Sequence, residues 1–429
     1  MAATLLSLSL ILTSSTQGAP SAKAYVVAAA PGRVPSDRPV QVRRGTRVTL
    51  YAVVRIGRGW RARYYTDASS LRLGGRRIRH KRIRPLAQLR GVRTRWFLVE
   101  PYQHHQKRPF PNRGNPAYSN AVLFGKHHGR WLGFDTLGYH ETVIASARGS
   151  LLRVDRATPT HKKVNVHGGL GTMRYRVEVT WAGGRVSSPG AAATGRGGIS
   201  TRVIRVSWRA ADDLVGWLTS YYNVPNVFGS AGGGARHQTE RYQGADCADI
   251  IVGAARRAGA RLRYTHAAGL IRYGRRVTPK LFLTKTGLVY AEGSRRGRRA
   301  RLRFGKDVRR GDLMLIDYVG WNGTGRGWDH VGVISADRGV KGWLDGADRH
   351  IHMGYKWGLV SEPLSSEGRA VVLFLRLRPG YRRAMARRRK RLVRAEKRSR
   401  RLRTRRLRKA RRRRSYRRRR AASPLRARK

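Results

Sequence analysis

The stretch that decides the predicted fold is GADCADII, residues 244–251, which holds the only cysteine of the 429-residue chain. Asp246 precedes an apolar helical pattern and can cap a helix that runs from about Cys247 to Ala258, where Gly259 ends it. Exported proteins usually pair their cysteines or lack them, so a lone thiol in an exported chain favours a nucleophile. The alternative is a structural side chain, because free cysteine packs well in cores.

Two histidine-bearing segments downstream offer partners for this thiol. His330 opens an apolar strand-like run, and the segment 349–354 reads RHIHMG. A thiol attacks as the thiolate, and its pKa falls at a helix N-terminus or beside an imidazolium. We therefore expect His330 to act as general base and a histidine of the segment 349–354 to hold its ring in one tautomer. Strand alternation puts His350 on the same face as His352, so the third member stays open between them.

The periodicity on either side of residue 210 differs. Apolar residues alternate with other residues in the segments 48–54, 175–181 and 204–208, which is typical of strands. We therefore predict an antiparallel, immunoglobulin-like β-sandwich over residues 25–209. Helical patterns followed by strand-like runs predict an α+β domain over residues 210–378. In that domain we expect Asp212 to cap the first helix.

The two termini differ from the body of the chain in composition. Residues 1–24 hold a short apolar stretch and a small-x-small site, which is typical of a secretory signal peptide and predicts export. The stretch lacks a basic start, so the true beginning of the chain stays open. Residues 379–429 form an Arg-rich, low-complexity tail, which we expect to be disordered, or helical on an anionic surface.

The charge balance limits the partners that the chain can have. It contains 93 Lys and Arg against 23 Asp and Glu, which gives a net charge of +70. Such a chain binds polyanions, and with export the expected partners are peptidoglycan or other anionic envelope polymers. Nucleic acid bound through the tail is the less favoured alternative, because it requires the signal peptide to be misread. No internal apolar run is long enough to predict a membrane-spanning helix.

The sequence predicts neither a cofactor nor a metal. One cysteine and scattered histidines lack the ligand spacing of a zinc site. The glycines at 232–234 lack the Lys and Ser/Thr of a phosphate-binding loop and follow no strand.

The order of the motifs resembles that of NlpC-type bacterial cell-wall cysteine peptidases over residues 212–377. The matching motifs are GxDC ending at Cys247, GDLMLI at 311–316, HVGV from His330, and IH ending at His352. The resemblance implies a compact papain-like domain that cleaves peptide or amide bonds in peptidoglycan stem peptides. It also implies that Cys247 is the nucleophile, His330 the general base and His352 the residue that orients it.

The chain departs from the family pattern around the nucleophile. Ala248 and Asp249 follow the cysteine where the family has Ser-Gly. A second carboxylate would oppose thiolate formation, but helical geometry turns it about 200° away, so we expect it to point elsewhere. In the family a tyrosine before the motif helps to bind substrate. Tyr222, or its neighbour Tyr221, is the candidate here, and Asp246 beside the thiol is a second substrate-binding candidate.

These departures leave a second hypothesis open. The protein would then be a non-catalytic polyanion- or cell-wall-binding protein that retains a degenerate papain-like domain.

Overall fold

The computed structural model describes residues 21–102, 137–162, 164–195, 197–230, 232–284, 287–318, 327–354 and 357–378. Up to residue 209 the strands are β1 (Ala22–Ala29), β2 (Val40–Arg43), β3 (Val48–Ile56), β4 (Arg63–Tyr65), β5 (Arg72–Leu73), β6 (Arg76–Arg77), β7 (Ile83–Arg84), β8 (Arg93–Pro101), β9 (Tyr139–Val143), β10 (Leu151–Val154), β11 (Gly171–Trp181), β12 (Gly184–Ser187), β13 (Thr194–Gly195), β14 (Gly198–Ile199) and β15 (Ile204–Arg209).

Three α-helices and eight strands follow in the described part of the chain. They are α1 (Leu214–Leu218), α2 (Gln238–Arg241), α3 (Cys247–Arg257), β16 (Gly274–Arg276), β17 (Leu281–Thr284), β18 (Gly287–Tyr290), β19 (Leu313–Tyr318), β20 (His330–Ala336), β21 (Arg349–Gly354), β22 (Gly358–Pro363) and β23 (Ala370–Leu377). The predicted tail lies outside the described residues. So does most of the predicted signal peptide, although β1 begins at Ala22, within its last residues.

Two sheets built from β1 to β15 enclose one apolar core. The first has the order β1-β3-β4-β7, with β10 on β3. The second has the order β2-β15-β11-β8-β9, with β12 on β11. Alternation decides the inner faces: Leu50 and Val54 of β3 and Val177 of β11 are fully buried, as the sequence predicted. The sheets are mixed, since β2 is parallel to β15 and β7 is parallel to β4. The prediction of a purely antiparallel sandwich is therefore wrong.

The remaining strands form an eight-stranded sheet of order β18-β17-β23-β19-β20-β21-β22, with β16 on β23, and all its pairs are antiparallel. Helix α3 packs on one face, where Ile250 and Ile251 meet Val331 and Val333. The opposite face buries a second cluster that includes Phe374. Because both faces are covered, the central strands are apolar runs, and the strand runs predicted there are confirmed.

The helix boundaries follow from their caps. The Asp246 side chain accepts the Asp249 N–H at 2.8 Å, so α3 begins at Cys247 as predicted. A cap of this kind stabilises a helix by about 1 kcal/mol. The prediction for α1 is wrong by one residue, because Asp213 is the cap. Asp212 instead forms ion pairs with arginines of the β-sandwich.

The predicted fold class is wrong. Strands account for 40% of the structure and helices for 15%, so the protein is mostly β and not an α+β protein with a papain-like domain. The sequence suggested a helical first half of the second domain, but α1 and α2 are only five and four residues long. Segments after α3 that carried no strong pattern form β16, β17 and β18 and enlarge the sheet.

The described helices are too short or too polar to cross a membrane.

Candidate functional site

The cysteine lies at the junction of α3 and the eight-stranded sheet. Cys247 is the first residue of α3, is only partly buried, and packs against the apolar core that the helix shares with the sheet. The backbone N–H of Val331, the second residue of β20, interacts with its sulfur. The fold therefore brings the thiol next to the strand residue that follows His330.

The electrostatic surroundings of the sulfur differ from the prediction. Burial raises the pKa of the Cys247 thiol well above its usual range, and the negative charge of Asp246 raises it further. The N–H of Val331 opposes these effects without cancelling them. The helix N-terminus was expected to lower this pKa, and that expectation is wrong because burial of the sulfur, together with the capping carboxylate beside it, raises the pKa. The resting side chain is a neutral thiol.

His330 and His352 form a direct pair on the sheet. In the register of β20 and β21, Gly332 is opposite His352, so His330 is its diagonal neighbour on the same face. His330 Nε2 lies 2.8 Å from His352 Nδ1, and the two rings meet edge to face. One nitrogen donates and the other accepts. Burial and the neighbouring imidazole of His352 lower the pKa of His330 to about 3, so its ring is neutral at physiological pH.

Close packing at Gly332 makes this pair possible. A Cβ atom at that position would lie 2.8 Å from His350 Cδ2 and 3.4 Å from His352 Cβ. Any larger side chain would displace one of these rings. The glycine of the HVGV segment is therefore required by the space that the histidines occupy.

The two histidines of β21 differ in their contacts. His352 contacts His330, whereas the His350 ring stacks behind His352 with centroids 4.5 Å apart. His350 Nε2 bonds to Glu367 Oε1 at 2.6 Å. His352 is thus the imidazole that the fold brings to His330, and His350 supports it from behind.

Two glutamates that sequence reasoning missed complete the cluster. Glu362 Oε2 lies 3.3 Å from His352 Nε2, and Glu367 Oε2 accepts a hydrogen bond from the Tyr318 hydroxyl. Burial alone would raise the pKa of Glu367. The hydrogen bond from His350 and the charges of the nearby imidazoles outweigh burial and hold this pKa well below its usual range.

A signal for these glutamates was present in the sequence. Acidic residues are scarce in this chain, yet Glu362 and Glu367 both follow closely on the His-x-His strand.

The two residues predicted to bind substrate have structural partners. Tyr222 is buried, and its ring stacks on His167 of the sandwich with centroids 3.5 Å apart. The structure therefore directs this tyrosine toward the interface between the two parts of the chain. Asp246 lies beside the thiol as predicted, but its side chain is the α3 cap, and burial raises its pKa.

The carboxylate of Asp249, two residues after the cysteine, contacts Ser230 and His237. Asp249 accepts a hydrogen bond from the Ser230 hydroxyl, and its Oδ2 lies 3.9 Å from His237 Nε2. Burial and the charge of Asp246 raise its pKa to about 8. The side chain contacts Ser230 and His237, but its negative charge also raises the pKa of the Cys247 thiol.

The same cluster contains a possible set of metal ligands, which the sequence spacing did not predict. Donor atoms of His330, His352 and Glu367 all lie within 4.8 Å of one another. Two imidazoles and a carboxylate are a donor set that suits Zn²⁺. The 2.8 Å separation of the two ring nitrogens is that of a hydrogen bond, so an ion would have to replace the proton shared between them.

No protein-family model, curated protein or solved structure matches this chain. The resemblance to NlpC-type peptidases therefore stays a prediction from ordered motifs, and function is argued from the geometry of the site.

Proposed function

We propose that this protein is an exported cysteine hydrolase that cleaves peptide or amide bonds in peptidoglycan stem peptides. Cys247 is the nucleophile, His330 the general base, and His352 the positioning residue that fixes the His330 tautomer. The observation that carries the proposal is the pairing of His330 with His352 at 2.8 Å. His330 begins β20, and the next residue of that strand, Val331, contacts the sulfur of Cys247.

The charges of the site support a reaction that starts from a neutral thiol and a neutral imidazole. As Sγ of Cys247 bonds to the substrate carbonyl carbon, the thiol proton passes to the His330 ring. The resulting imidazolium is stabilised by two carboxylates. Glu362 lies at Nε2 of His352, on the side away from His330, and Glu367 lies 3.5 Å from Nδ1 of His352, the nitrogen that faces His330.

The backbone N–H of Cys247 is the group at the start of α3 that we assign to the developing oxyanion, because those of Ala248 and Asp249 bond to the Asp246 carboxylate.

The second half of the reaction regenerates the site. His330 gives the proton to the leaving amine as the carbon–nitrogen bond breaks, which leaves a thioester on Cys247. Water then attacks the thioester carbon, the product leaves as a carboxylic acid, and the sulfur recovers its proton through His330. No external oxidant or reductant is needed.

The substrate class and the location rest on sequence features. The motif order suggests stem peptides, the apolar N-terminal segment suggests export, and the net charge of +70 favours a partner that is itself anionic.

Substitution of the sulfur tests the proposal directly. Cys247→Ala should reduce the release of new amino groups from purified peptidoglycan by about 10⁴-fold or more, because the nucleophile is lost. The thermal unfolding midpoint should stay close to that of the wild type, which separates lost chemistry from lost folding. Equal rates of digestion by the two proteins would rule the hydrolase out.

The raised pKa of the thiol favours one alternative, a non-catalytic polyanion-binding protein with an inert site. Alkylation of Cys247 by iodoacetamide separates the two. In the hydrolase the neighbouring base accelerates alkylation at pH 7, and His330→Gln slows it. The inert site is favoured if His330→Gln leaves the alkylation rate unchanged and that rate rises only above about pH 8.5, where free thiols ionise.

A further inference from the structure

A strongly basic cavity lies on the β-sandwich, away from the cysteine. It has a volume of about 1340 Å³ and opens on the outer face of the first sheet. Nine of its seventeen lining residues are Arg or Lys, one is the acidic Asp37, and none belongs to the cysteine site. We call it the arginine basin.

The floor and walls of the basin are built from regular elements. Arg55 of β3 lies on the floor, between Lys23 of β1 and Tyr64 of β4 in the sheet register. One wall is the β5–β6 hairpin, which turns through two positive-φ glycines at 74–75 and carries Arg76 and Arg77.

A hydrogen-bonded brace fixes the opposite wall. Arg82 donates from Nε to the carbonyl of Ala62 at 3.0 Å and from Nη2 to the carbonyl of Gly59 at 2.8 Å. The basin is therefore formed before any ligand binds, which lowers the ordering cost of binding.

The positive charge of the basin is not compensated by the protein. None of its nine basic residues forms an ion pair with a carboxylate in the described part of the chain. The carboxylate of Asp37 instead accepts the Gly74 N–H at 2.7 Å.

One donor in the basin also lacks a partner. Nε of Arg55 is buried, with no hydrogen-bond partner among the described residues. A buried donor without an acceptor is unfavourable, and an anion bound by the Arg55 guanidinium would lessen this cost.

We propose that the arginine basin binds a linear phosphodiester polymer without nucleobases, of the poly(glycerol phosphate) kind. Each guanidinium matches the two free oxygens of a phosphate, and the basin offers many such groups around one open cavity. Binding of this polymer does not require the proposed hydrolase activity, because the two sites share no residue.

The aromatic residues of the basin favour this polymer over single-stranded nucleic acid. Proteins that bind single strands stack bases on open aromatic faces. Here the Arg61 guanidinium lies over the Trp60 ring at 5.0 Å, and the Arg82 guanidinium lies over the Tyr64 ring at 5.3 Å. Trp60 is 78% exposed, but Tyr64 is buried, so the lining does not offer a row of open rings on which successive bases could stack.

The test compares two charge-reversed variants of the full-length protein. Arg76→Glu/Arg77→Glu removes charge from the basin wall. Arg295→Glu/Arg296→Glu makes the same change in net charge on another exposed segment. Binding of a fluorescent poly(glycerol phosphate) is measured by anisotropy at about 0.15 M salt. We expect the basin variant to raise Kd about tenfold or more and the control variant less than about threefold.

Three results would overturn the proposal. Equal weakening by the two variants would assign binding to the overall charge. Unchanged Kd in a folded basin variant, confirmed with Arg79→Glu/Lys81→Glu, would assign it to another surface. Tighter binding of an oligothymidine of equal phosphate number, lost in the basin variant, would make nucleic acid the occupant. Peptidoglycan digestion by the basin variant is a separate readout, so failure of the binding proposal and failure of the hydrolase are distinguishable.

Discussion

The cysteine site and the arginine basin differ in whether their ionisable side chains have partners within the protein. At the site each imidazole has a partner: His330 pairs with His352, and His350 bonds to Glu367. In the basin nine basic residues face one cavity with no carboxylate paired to any of them in the described structure. A site with internal partners can hold and move a proton, whereas a surface with unpaired cations needs an external anion. The comparison suggests that the proposed bond cleavage and the proposed polymer binding take place at separate sites in this protein.

The sharpest test of this separation removes the base and leaves the basin intact. His330→Gln should lower peptidoglycan turnover by about 10²- to 10⁴-fold, because a glutamine side chain cannot accept the thiol proton. The Kd for poly(glycerol phosphate) should not change. His266→Gln, at an exposed histidine of the same part of the chain, is the matched control and should leave both quantities unchanged. A His330→Gln variant with full turnover would contradict the assignment of the base.

A change in packing at Gly332 should have a smaller effect on turnover than loss of the base. Gly332→Ala inserts a methyl group 2.8 Å from His350 Cδ2, and we expect it to lower the free energy of unfolding by about 1–3 kcal/mol. Turnover should fall as the His330–His352 contact is displaced, while polymer binding is retained. Gly233→Ala, whose added methyl meets no atom within 4 Å, is the control for urea unfolding. Equal stability of the two variants would show that the ring cluster tolerates displacement.

The smallest expected effect concerns the charge beside the sulfur. Asp246→Asn preserves an N-cap side chain but removes the carboxylate that raises the pKa of Cys247. Alkylation of the thiol at pH 8 should therefore accelerate about three- to tenfold. Asp213→Asn makes the same change at the cap of α1 and should leave the rate unaltered. A slower rate in Asp246→Asn would show that the carboxylate assists thiolate formation.

Local pattern predicted several elements because these depend on neighbours in sequence. The alternation in β3 and β15, the start of α3 and its Asp246 cap all follow from residues a few positions apart. The fold class was wrong because short segments without strong periodicity, such as β16 and β17, join the sheet only through distant partners. The predicted drop in the thiol pKa was wrong for a related reason, since burial is a property of the whole fold.

The amino-acid sequence by itself determined that one thiol begins a capped helix and that two histidines of β21 share a face. Only the tertiary structure decided that His352 meets His330, because that contact depends on the register of two strands set by the entire sheet. It also decided that Glu362 and Glu367 support the histidines and that arginines from separate strands share one cavity. Side chains distant in sequence meet only when the strands and helices that carry them are packed together. No local sequence pattern encodes that packing.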